Sequence, residues 1–183
     1  VCRSTEPAGS GAGDWLVRGH HGTQVNIPLT GWDEKGLAGT LKMAGREAVL
    51  VIPPTELREL WSREFADKPD AVDRTAEPTN VDTVYAKNAE GQVQRVTGSV
   101  LGIRDGALQF DYQGTQRTIA LDRVAGVVVR QSAARPPAEK GRVRLRFDLC
   151  GPDELVGFLK ELTPGQATIT LPWGDDLTLS RNM

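Results

Sequence analysis

Arg142, Arg144 and Arg146 stand at alternate positions in the run GRVRLRF. On an extended strand they share one face, about 6.8 Å apart per step. Guanidinium groups stacked in this way can hold phosphates or sulfated or acidic sugars, with an affinity that falls steeply as salt rises. The same pattern also describes a solvated strand face whose charges pair with acidic residues on a neighbouring strand. Arg130, Arg135 and Lys140 extend the basic stretch towards the N-terminus. The second candidate is Trp173, set between Pro172 and Gly174 at the tip of an expected hairpin. An indole there can stack on a sugar ring, a base or a partner's apolar groove, or it can close the end of its own sheet. The third is His20–His21, the only histidines of the chain, on which any hydrolase based on a nucleophile, an imidazole and an acid would depend.

Other catalytic signatures are absent. The chain has no GxSxG, HExxH, GxxxxGK or SxxK, and no GxGxxG after a strand. Adjacent histidines cannot both point to one side of a strand, and Cys2 and Cys150 have no CxxC spacing, so no metal site and no cofactor are expected. Asp175–Asp176 lie in PWGDDL, where acidic residues ordinarily form and solvate a turn. These observations favour a binding protein over an enzyme.

The 183 residues carry 22 basic and 24 acidic side chains, a formal charge of −2. Such a balance produces no strong field, so nucleic acid is not an expected partner. No apolar run approaches the roughly 18 residues of a membrane span. The sequence starts at Val1 and ends at Met183 just after the strand-like LTLS, which suggests a fragment of a longer reading frame. A lipid anchor at Cys2, tethered by RSTEPAGSGAGD, is an alternative disfavoured by the bulk of Val1. The other readings of the cysteines are a long-range disulfide, disfavoured by the loose end that holds Cys2, and a free terminal thiol with a small residue packed near a turn.

The elements that must position these residues fall into three segments. Residues 1–14 are Ser/Gly/Pro-rich and read as a flexible linker, as do the Pro-bearing stretches 67–80 and 131–140. Between them lie 15–66, 81–130 and 141–183, the last read as truncated or incomplete. Gly39, Gly98 and Gly157 recur at intervals of 59 residues in GLAGTL, RVTGSV and ELVGFL. Each is followed by a short apolar strand, a turn and another apolar strand, and Gly106 and Gly165 keep the same spacing at the turn. A fixed period of this kind is the mark of tandem units. Leu108, Phe110 and Tyr112 alternate with polar residues, as do Ala167, Ile169 and Leu171, and Val143, Leu145 and Phe147. Period-two patterns with one wet face predict antiparallel sheets. Units of about 50 residues have little core of their own, so each sheet should curl closed or pack on its neighbours.

One helix is expected at about 55–66 in the first unit. Thr55 follows Pro53–Pro54 as a cap, Leu57, Leu60, Trp61 and Phe65 form a stripe, and Glu59 and Arg63 lie four apart on the wet side.

GQVQRVTGSVLGIRDGALQFDY (91–112) followed by RTIALDRVAGVVVR (117–130) resembles the SH3-like and Sm-like small barrels. The order strand, glycine, bent strand, turn, strand is similar to the first Sm motif. The resemblance implies a mainly β fold of two to three tandem small antiparallel barrels. It does not carry the Sm route to RNA, which would need Asp-x-Asn in the turn and Arg-Gly near the last strand. Here those positions read RDGAL and VVVRQ, with Gln131 in place of the glycine. The same pattern is similar to repeats in large secreted bacterial proteins, often next to a carbohydrate-binding module. That likeness implies a non-catalytic interaction or scaffolding module of an exported protein. Its partners would be other domains of the same polypeptide or a surface polymer. Binding of polyanions or nucleic acid through the arginine face is the alternative, and a hydrolase using His20 or His21 a further one.

Overall fold

A computed structural model describes residues 14–43, 46–66, 68, 72, 80–130, 144–149 and 153–180, apart from the side chains of residues 43, 46 and 180. The chain is mainly β, and its described residues form 14 strands in one antiparallel network and a single short α-helix. The first group of strands is β1 (Asp14–Gly19), β2 (Gln24–Asp33), β3 (Gly36–Met43), β4 (Arg46–Ile52) and β5 (Leu57–Ser62), followed by α1 (Arg63–Ala66). The second is β6 (Asp82–Lys87), β7 (Val93–Arg104), β8 (Ala107–Tyr112), β9 (Thr115–Ala120) and β10 (Val124–Val128), with a 3-10 turn at Leu121–Arg123 before β10. The third is β11 (Arg144–Asp148), β12 (Glu154–Leu162), β13 (Gln166–Thr170) and β14 (Asp176–Ser180).

The first two groups share one strand order. β5 lies beside β1, and β2, β3 and β4 follow on the other side; β10 lies beside β6, and β7, β8 and β9 follow. They join through β5 and β10, which pair antiparallel with Leu60 opposite Val127, and through a single pairing of Trp32 with Ile103. In the third group β11, β12, β13 and β14 pair in sequence, and β12 touches β2 through Glu154 and Gln24. Where two to three tandem small barrels were expected, the described strands form one continuous antiparallel network.

One apolar core runs through all three groups. Val17, Val25 and Leu60 of the first, Val84, Leu108 and Val127 of the second, and Leu155, Ile169 and Leu177 of the third belong to one cluster. A second, smaller cluster lies on the opposite face of the β1–β5–β10–β6 strands. It contains Leu16, Trp61, Tyr85, Ala125 and Val72, flanked by Phe65 and Ala66 of α1.

This second layer corrects the expected helix at 55–66. Residues 57–62 are a strand and only Arg63–Ala66 is helical. Leu60 faces the main core while Trp61 faces the smaller one, so a strand buried on both faces shows no clean alternation and imitates a helical stripe. Glu59, expected on a wet face, is 0% exposed.

The glycine period is also corrected in its first member. Gly98 and Gly157 both lie in the second strand of their groups, opposite Asp82 and Leu145 of the first strands. Gly39 instead lies in β3. A Cβ at Gly98 would stand 2.6 Å from Phe110 Cζ, and one at Gly39 2.6 Å from Ile27 Cδ1. The gap that lets a large side chain cross is thus on the second strand in one group and on the third strand in the other.

Candidate binding face and the polar fastenings around it

β11 carries the candidate arginines. Arg144, Arg146 and Asp148 are exposed and alternate with half-buried Leu145 and Phe147, so the period-two pattern does set two arginines on one face. Arg142 lies outside the described residues. The Arg144 guanidinium donates from Nη2 to the backbone carbonyl of His21. Arg146 donates from Nε to Asp148 Oδ1 at 3.1 Å and pairs through Nη2 with Glu154 Oε1 at 3.0 Å. The hydrogen bond to Asp148, and then the charge of Glu154, push the pKa of Arg146 above its ordinary value. Its cation is thereby matched locally by carboxylates, which reduces what it offers to an added polyanion.

Trp173 sits in the turn between β13 and β14, two strands away from β11 in the sheet order. It is half-buried against the main core, and its Nε1 donates to Asp175 Oδ2 at 3.1 Å. The ring thus packs on the main core, whereas Arg144 and Arg146 lie on the exposed face of β11.

His20 and His21 lie in the turn between β1 and β2, both half-buried. His21 Nδ1 is hydrogen-bonded to Glu56 Oε2, whose residue is 3% exposed. The backbone N–H of His20 donates to the Glu56 carbonyl at 2.9 Å. This arrangement ties the β1–β2 turn to the segment before β5. The same turn holds the third group, because Thr23 Oγ1 accepts from Val156 N at 3.3 Å and Arg144 reaches the His21 carbonyl. Asp153 adds a further tie: its Oδ1 accepts from Asn26 N at 2.8 Å and Asn26 Nδ2 at 2.7 Å.

Two more carboxylates act in the same way. Asp82, 6% exposed, accepts from Val100 N and Arg130 N, each at 2.8 Å. It therefore fixes the bend of β7 and the end of β10 to the start of β6. Glu59 accepts from Arg18 Nη1 at 3.2 Å, Arg58 Nη2 at 3.4 Å and Trp61 Nε1 at 3.2 Å, and Arg18 Nε is held by Gln24 Oε1 at 2.9 Å. A carboxylate deprived of water needs such donors. Of these four acidic residues only Glu59 was singled out from the sequence, and there as a solvent-facing partner of Arg63. Their partners lie as far as 127 positions away, and single-sequence periodicity carries no trace of such pairs.

Two open clefts accompany these ties. One of about 450 Å³ lies at the β2–β7 junction beside Asp33, Lys35 and Arg104. The other, about 500 Å³, lies beside Lys87, Gln94 and Arg123. Among the described residues no group of three or more His, Cys, Asp or Glu could hold a metal ion, and no helix is long and apolar enough to cross a membrane. Cys2 and Cys150 lie outside the described residues. No protein family, no curated protein and no solved structure matches the chain.

Proposed function

We propose that the chain is a non-catalytic interaction or scaffolding module of a larger, exported bacterial protein, built from tandem SH3/Sm-like units. The observation that carries the proposal is the strand order shared by the first two groups, together with the one core that links them to the third. Its polar side chains support it: Glu56, Glu59, Asp82 and Asp153 are used to fasten elements to one another, as suits a rigid spacer. The role is to position neighbouring domains or to hold a surface polymer.

The test is co-sedimentation of the protein with insoluble cell-wall and plant polysaccharides, run beside a broad hydrolase screen. The reading expects depletion from solution by at least one polymer, and no hydrolysis that depends on His20 or His21. Turnover abolished by H20A or H21A in a folded protein would replace the module with an enzyme. A heparin column separates the polyanion alternative: R144A/R146A should elute at the same salt as the parent, and a large shift to lower salt would favour the arginine face.

A further inference from the structure

The first two groups of strands match residue for residue around their first strands and differ at one end. Val17 pairs with Val25 and Leu60 as Val84 pairs with Val96 and Val127. The register shifts at the same place in both, so that Gly19 faces Leu57 as Ala86 faces Val124. Gly19 N donates to the Thr23 carbonyl at 2.8 Å, and Ala86 faces Gln94. Ala86 thus takes the place of Gly19 and Gln94 that of Thr23. Arg123, just before β10, takes the place of Glu56, just before β5.

In the first group this end is covered. Glu56 is buried and bonded to His21 Nδ1, and Thr23 is buried and accepts from Val156 N of the third group. Leu155, next to Val156, is fully buried in the main core. In the second group the same end is open. Exposed Gln94, Thr118 and Arg123 line the cleft of about 500 Å³, together with Ala86, Val96 and Ile119, which are half-buried against the main core. Arg123 donates from Nε and Nη2 to the Lys87 carbonyl at 3.1 and 2.9 Å, and it has no carboxylate partner among the described residues. Two bonds to one carbonyl fix the guanidinium plane. They leave Nη1 and the second N–H of Nη2 as a parallel pair, the geometry that holds a planar carboxylate. Lys87 is engaged elsewhere, since its ammonium donates to Glu64 Oε2 and lies 5.2 Å from the centre of the Phe65 ring. The Gln94 amide and the Thr118 hydroxyl have no hydrogen-bond partner among the described residues.

We propose that the open end of the second group binds a uronic acid unit of a polysaccharide. The sugar carboxylate sits on Nη1 and Nη2 of Arg123, and one guanidinium matches its single charge. Ring hydroxyls meet the Gln94 amide and the Thr118 hydroxyl, and the C–H face of the ring lies against Ala86, Val96 and Ile119. An apolar peptide side chain in the same place would bury that amide and hydroxyl without partners, which is costly. The volume falls within the roughly 300–1,000 Å³ of small-molecule sites. None of the described residues that line the cleft is aromatic, so a single unit binds weakly and is studied at millimolar concentration. This rests on the reading of a module that holds a surface polymer, and it names the class of that polymer.

The test titrates the isotope-labelled protein with digalacturonate, diglucuronate and dimannuronate and follows its amides by NMR. At least one of these should give saturable shifts at Ala86, Gln94, Ile119 and Arg123. The same disaccharide with its carboxyls reduced to hydroxymethyl groups should bind at least about tenfold more weakly. Arg123→Gln should lose about tenfold in affinity. Because that side chain also holds the Lys87 carbonyl, Gln94→Ala is the second variant. It removes an exposed amide without a partner in the protein, so it leaves the fold intact and should cost about threefold or more in affinity. No saturable shift with any of the three, equal binding of the reduced disaccharide, or full affinity in either variant would overturn the proposal. So would shifts confined to β11 and abolished by R144A/R146A, which would move the site to the arginine face. Retention of the protein by a neutral polysaccharide, with no uronate shift at these amides, would end this proposal and leave the module reading standing.

Discussion

Asp82→Ala tests whether a carboxylate holds the second group of strands in shape. In the folded chain this side chain receives two backbone N–H donors at 2.8 Å, Val100 on the bending part of β7 and Arg130 just beyond β10. A hydrogen bond to a charged acceptor contributes about 1.5–3 kcal/mol, so the pair is worth roughly 3–6 kcal/mol if neither donor finds another partner. Val100 is half-buried and Arg130 is exposed, so water can serve the second donor after truncation. The net cost should be about 2–4 kcal/mol. Asp82→Asn keeps one acceptor oxygen and turns an NH2 group towards the other donor, which should cost about 1.5–3 kcal/mol. Urea unfolding followed by tryptophan fluorescence measures both variants. A loss below about 1 kcal/mol for Asp82→Ala would refute the reasoning, because it would mean that neither donor depends on the carboxylate.

Gly126→Ala should destabilise the β5–β10 seam by about 2–3 kcal/mol, since its Cβ would fall 2.1 Å from Cε3 of the buried Trp61 ring. Gly106→Ala is the comparison: nothing lies within 4 Å and φ is +72°, so only the left-handed strain of about 1 kcal/mol applies, and equal losses in urea unfolding would show that the indole can move aside. The hydrogen bond from Lys160, then that from Thr170, lowers the pKa of Asp176 from the ordinary 3.8. Its contribution to the β13–β14 hairpin is therefore present above that ordinary value and lost as the pH falls through the lower, folded one. In an NMR titration the Asp176 midpoint should rise in Lys160→Met, and an unchanged midpoint would remove Lys160 as the cause.

Local alternation made several strands legible. Leu108–Phe110, Ile169–Leu171 and Leu145–Phe147 each sit inward, with polar neighbours turned to water, and these segments form β8, β13 and β11 much as the pattern requires. The pattern failed where a strand is covered on both faces. Leu57, Leu60 and Trp61 are all buried, and the stripe they make has a helix's spacing only because β5 lies between two layers. Glu59 was misplaced for the same reason, since a charge four residues from Arg63 looks like a wet helical pair. The period through Gly39 coincided with the true one without matching it, because the position equivalent to Phe110 in the first group is the glycine itself. Of the candidate site, the shared face of Arg144 and Arg146 was legible from spacing alone. Arg146 meets Asp148 and Glu154 within its own group, but the engagement of Arg144 with the His21 carbonyl follows from how the third group docks on the first, a long-range fact that no window of sequence contains.

Native-state hydrogen exchange tests the central claim most directly, because a rigid module held by one core should open as a unit. The slowest amides of β1–β5, β6–β10 and β12–β13 should exchange with one common free energy, equal to that of global unfolding in urea. A third group whose slowest amides open at a clearly lower free energy than those of the other two would contradict the account. It would make β11–β14 an independently moving piece instead of part of a spacer.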